Sequence, residues 1–129
     1  MNKIGSERRK HPRLTNNIAV KLSTTDFDAV TETINLSCSG VYCRVNQHIP
    51  PMTKLKLLLL IPIKSTSGIK VRKITCQGVV VRVEPEAHRQ AGATKNFHIA
   101  IYFNDISPRD VKYIGEYINS ALDQKVGKI

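Results

Sequence analysis

Two short segments hold most of the side chains able to do chemistry. The first is Glu7-Arg8-Arg9-Lys10-His11-Pro12-Arg13, within a stretch of residues 1–13 where Lys3, Arg8, Arg9, Lys10 and Arg13 face Glu7 alone, a local balance of +4. Positive charge of that density attracts anions: a nucleotide, a nucleic acid, an acidic protein or a membrane surface. The second is Asn35-Leu36-Ser37-Cys38-Ser39-Gly40, built from the residue types of tight turns, whose side chains also donate and accept hydrogen bonds. The whole chain has the same sign, with 20 Lys and Arg against 10 Asp and Glu, a net +10 over 129 residues.

Nothing in the remaining residues points to catalysis. The chain has no GxxxxGK[ST], GxGxxG, HExxH or GxSxG run, and so lacks the usual signatures of nucleotide hydrolysis, dinucleotide binding, zinc proteolysis and serine hydrolysis. Asp26 with Asp28 and Glu84 with Glu86 flank connections without a neighbouring His, and read as solvated carboxylates. Cys38, Cys43 and His48 are five apart, an odd interval that sends successive side chains of an extended segment to opposite faces, so a shared metal is not expected. Three cysteines without CxxC spacing, behind an N-terminus with no apolar signal region, are expected to be reduced thiols in a cytoplasmic protein.

The elements that must position these residues follow from periodicity. With 41% hydrophobic and 23% charged residues the chain has enough apolar material for one core and is near single-domain length. Ile18, Val20 and Leu22, then Val30, Ile34 and Leu36, then Val41, Cys43 and Val45 recur with period two, as half-buried antiparallel strands do. Leu55 to Ile61 is almost wholly apolar and ends at Pro62, the pattern of a strand buried on both faces. No apolar run approaches the roughly 18 residues of a membrane span.

Lys64 to Lys70 is expected to be a hairpin loop, and residues 84–96 another. Ile69 to Val83 reads as a long strand that bends at Gly78, and Phe97 to Phe103 as the clearest strand of all. A helix of about residues 107–126 should follow, capped by Ser107, with Pro108 in its first turn and Val111, Ile114, Ile118 and Leu122 on one face. Gly115 within it is expected to mark close packing. The fold class is all-β with one C-terminal helix, as a six-stranded antiparallel barrel. Residues 1–13 are expected to form a flexible basic arm, and 14–129 a single barrel domain.

The pair Arg9 and Arg13, an RxxxR, followed by Asn35, Ser37 and Gly40, an NxSxxG, on a small barrel with a terminal helix resembles the PilZ domain family, whose pattern is RxxxR with [D/N]xSxxG. The resemblance covers about Glu7 to Val126. It implies a non-enzymatic bacterial receptor for cyclic di-GMP that changes conformation on binding and signals through a protein partner in motility, biofilm or secretion control.

The residues suit that ligand. The guanidinium fork of Arg9 or Arg13 matches phosphate oxygens and the O6/N7 edge of guanine, and its plane can stack on the base. Asn35 and Ser37 can hydrogen-bond guanine or phosphate, while Gly40 lets the backbone turn or approach the ligand. Arg8, by the same resemblance, accompanies an intercalated ligand dimer, and Lys10, His11 and Arg82 are outer contacts.

Two other readings remain. A PilZ-like protein-interaction scaffold that ignores nucleotide is opposed by the intact arginines and turn. A basic barrel for single-stranded nucleic acid is opposed by the scarcity of stacking aromatics, with no Trp in the chain.

Overall fold

A computed structural model describes residues 17–86 and 96–127. Among the described residues six strands are followed by one helix: β1 (Ala19–Ser23), β2 (Asp28–Ser37), β3 (Gly40–Val45), β4 (Lys54–Ser65), β5 (Gly68–Pro85), β6 (Phe97–Asp105) and α1 (Pro108–Gly127). Every ladder is antiparallel, and the sheet closes on itself in the order β1-β2-β3-β6-β5-β4, with β4 returning to β1. Closure removes most free strand edges and turns one face of each strand inward.

The inward set is the one that period two picks out on β1, β3 and β6: Val20, Leu22, Val41, Cys43, Ile99 and Ile101 are all buried. Two apolar segments depart from expectation. On β2, Val30 is 75% exposed and Thr33 is buried, because a bulge between Thr33 and Asn35 changes the phase of the strand. On β4, Leu55, Leu57, Leu59 and Ile61 are buried while Leu58 and Leu60 are only half-buried on the outside. A closed barrel has one interior, so among the described residues no second layer covers the outer face of β4.

The hairpin joining β4 to β5 is longer than expected and its turn shorter. Pairing runs to Ser65 opposite Gly68, and Gly68 takes φ 123°, open to glycine at little steric cost. Pro62 sits within β4, but the β1 ladder stops at Leu59, so the missing N–H falls on a stretch with one partner strand. β5 also runs further than expected, through Glu84 and Pro85. The bend at Gly78 is present as a register shift, and a Cβ there would stand 2.5 Å from Ile101 Cγ2.

Helix α1 begins as expected, with Ser107 Oγ accepting from the Asp110 N–H at 3.1 Å. It packs on β2 and β4 and buries Ile114 and Ile118 in the barrel core. Arg72 of β5 lies 3.8 Å from the Tyr113 ring centroid, so α1 also covers the inner side of the β4–β5 ribbon. Gly115 is not sterically required, since a Cβ there would meet Cys38 Sγ at 3.4 Å, ordinary contact.

Candidate functional site

The β2–β3 turn is Cys38-Ser39, tight between paired Ser37 and Gly40. Ser37 Oγ accepts the Ser39 N–H at 3.2 Å and lies 3.1 Å from Ser39 Oγ. The Ser39 carbonyl accepts the Phe103 N–H at 2.9 Å, which ties the turn to β6. Cys38 points the other way, its Sγ 3.8 Å from the Val111 carbonyl of α1. One side of the turn is thus braced by the helix, and the other holds its hydroxyl-bearing side chains.

Gly40 does not serve the turn by a positive φ, because among the described glycines only Gly68 has one. Its reason is the neighbouring strand: a Cβ at position 40 would overlap the Ile101 carbonyl oxygen. The glycine lets β3 and β6 pair at this point.

Four strands then carry one transverse row: Asn35 opposite Tyr42, Tyr42 opposite Ala100, and Ala100 opposite Arg82. Strict alternation from buried Thr33 and buried Val80 would send Asn35 and Arg82 into the barrel. A bulge at Ile34 and another at Val81 rotate them outward instead. Asn35, Ser37, Gly40 and Arg82 therefore line one open groove of about 430 Å³, together with Ser39, Tyr42, Ala100 and Tyr102. That volume falls in the range of small-molecule sites.

At its Arg82 end the groove has a polar network. Arg82 Nε lies 3.2 Å from Glu84 Oε2, the Tyr42 hydroxyl donates to Glu84 Oε1 at 2.9 Å, and the Arg82 guanidinium is 5.7 Å from the Tyr42 ring centroid. Partial burial, and next the hydrogen bond to Glu84, push the Tyr42 phenol above its ordinary value, so it remains a donor at neutral pH. The next row holds Arg44, His98 and Glu84. There Glu86 takes the Arg44 guanidinium at 3.3 Å and approaches His98 Nε2 at 3.7 Å.

Of the sequence-predicted site residues, Asn35, Ser37, Gly40 and Arg82 come together. Arg8, Arg9, Lys10, His11 and Arg13 lie outside the described residues. Sequence reasoning passed over Tyr42, Ser39, Glu84 and Tyr102. Tyr42 had a signal, being an aromatic between inward Val41 and Cys43 and hence on the outer face. Among the described residues no group of three or more His, Cys, Asp or Glu is placed to hold a metal ion.

The PilZ domain family model matches residues 7–120, from the basic arm to the helix. The chain belongs to the PilZ domain family. No curated protein sequence matches this PilZ chain. Among solved structures it is similar to the inhibitor of motility MotI/DgrA of Bacillus subtilis, at 18% identity over 92% of this chain and 53% of that one, with TM-score 0.74. It is also similar to the PilZ domain of Escherichia coli YcgR, a structure with c-di-GMP, at 12% identity over 95% of this chain and 99% of that one, with TM-score 0.61. A third is Borreliella burgdorferi PlzA in complex with c-di-GMP, at 10% identity over 98% of this chain and 55% of that one, with TM-score 0.58. This PilZ chain thus spans about half the length of MotI and of PlzA. No helix among its described residues is long and apolar enough to cross a membrane.

Proposed function

We propose that this PilZ domain is a non-enzymatic receptor for cyclic di-GMP that acts in the cytoplasm and signals through a protein partner. The observation that carries this reading is the single groove in which Asn35, Ser37 and Gly40 of the NxSxxG segment meet Arg82. In it, Arg9 and Arg13 of the basic arm, residues 1–13, close over the ligand and supply forked donors to phosphate or guanine. Arg8 joins them, and Lys10 and His11 make outer contacts. Asn35 and Ser37 hydrogen-bond from the rigid side, and Arg82 meets the ligand from the far end of the row. The domain from residue 14 onward is the scaffold, the arm the closing part, and binding reshapes the surface that a partner sees.

Titration calorimetry with cyclic di-GMP tests this. Binding is expected for the full chain, and loss of one charge-assisted contact in Arg9→Ala or Arg13→Ala should weaken it by about 10- to 100-fold. No heat with micromolar ligand, or unchanged affinity in both variants, overturns the reading.

A further inference from the structure

The β4–β5 ribbon has two faces of unlike fate. Its inner face is covered: Leu57, Leu59 and Ile61 lie in the core, and Arg72 stacks on Tyr113 of α1. Its outer face is largely apolar toward the hairpin end and polar toward the other. Leu58 and Leu60 stand half-exposed on β4 and continue into exposed Pro62. Pro62 is opposite Val71, which is 59% exposed, and Ile69 follows at 69%. Side chains on one face of adjacent paired strands form a contiguous surface, and bare aliphatic stripes of this kind mark contact sites on soluble domains.

The charge on this face has one sign, Lys73 directly opposite Leu60 and Lys54 and Lys56 beyond Leu58. Lys54, Lys56 and Lys73 project from the same outer face, all exposed, and the described part of that face has no carboxylate. None of the three makes an ion pair among the described residues.

We infer that this outer face of β4 and β5 docks a partner protein through an acidic segment with an apolar side. The aliphatic stripe supplies the desolvated centre and the lysines the steering rim. A second copy of this chain fits poorly, because a like face would set lysine against lysine on molecules that each carry +10. A lipid surface fits poorly as well, because the ribbon tip is the polar Thr66-Ser67-Gly68 and the apolar residues lie along the flank. Nucleic acid would use stacking aromatics, and the described outer face of β4 and β5 has none. The surface is separate from the ligand groove, so the inference holds whether or not cyclic di-GMP binds.

The test is site-specific photocrosslinking of the full chain in its own host, with benzoyl-phenylalanine in place of Val71, and in place of exposed Met52 as a control. The expected result is a cross-link from position 71 to an acidic peptide of another protein, absent from position 52. Adding Leu60→Ser and Ile69→Ser, both outward changes, should abolish that cross-link while the thermal midpoint is held. Cross-links to the chain itself, to lipid, to nucleic acid or to a peptide without net negative charge overturn the inference. So does a yield no higher than at position 52, or a cross-link that survives the double substitution.

Discussion

Asn35 and Arg82 stand at opposite ends of one row across four strands, each turned outward by a β-bulge in its own strand. At the usual strand spacing the row is about 14 Å long, with Tyr42 and Ala100 between its ends. The two residues can therefore hold separate parts of one extended anion. Arg82→Ala should weaken cyclic di-GMP binding about tenfold, and Asn35→Ala, which loses a neutral hydrogen bond, about fivefold. Calorimetry on both variants checks the order; equal affinity in wild type and Arg82→Ala would remove Arg82 from the site.

Glu84 places a carboxylate beside that arginine at 3.2 Å. The pair is exposed, so its contribution to folding is small, but its negative charge opposes any anion in the groove. Glu84→Gln should leave the thermal midpoint nearly unchanged and tighten cyclic di-GMP binding by about two- to fivefold, an effect that salt diminishes.

Gly40→Ala separates fold from ligand. A methyl group at this position overlaps a backbone oxygen of β6, which cannot move as a side chain tip can, so destabilisation of about 3 kcal/mol or more is expected. Chemical denaturation reads it directly. Loss of binding in this variant then reports a damaged barrel, whereas Ser37→Ala, which removes the acceptor of the Ser39 N–H, should cost about 1 kcal/mol.

Gly115→Ala should do the reverse. The site is helical and has room for a methyl in ordinary contact with Cys38, so the variant gains about 0.5–1 kcal/mol from reduced freedom of the unfolded chain. A higher thermal midpoint is the expected readout, and a lower one would show that α1 packs more tightly on the turn than its geometry indicates.

Burial pushes the Cys43 and Cys76 thiols from 9.0 up to about 12. A raised value means that the folded chain keeps protons which the unfolded chain releases. Their contribution is fully present below pH ~9 and is lost as pH rises from there toward 12, at no more than about 1.4 kcal/mol per pH unit for each thiol. Urea unfolding at pH ~8 and ~10.5 should show this loss, and Cys43→Ala should flatten it relative to its own value at the lower pH.

Much was legible in the chain itself, for a physical reason. Side chains at i, i+2 and i+4 share a face, so Val20 and Leu22, Val41 and Cys43, and Ile99 and Ile101 announced both their strands and their inward direction. Ser107 and Pro108 announced the helix start because the cap is a local interaction. The order of RxxxR and NxSxxG named the family. The tertiary structure alone decided the phase of β2 and β5, since a bulge depends on what the neighbouring strand pairs with and leaves no local mark at Ile34 or Val81. It also decided that Gly40 answers to Ile101, more than sixty positions away in the chain, and that Leu58 and Leu60 on the second face of β4 are left half-buried. Each of these is a relation between strands brought together by barrel closure, and such relations are not contained in the periodicity of any one strand.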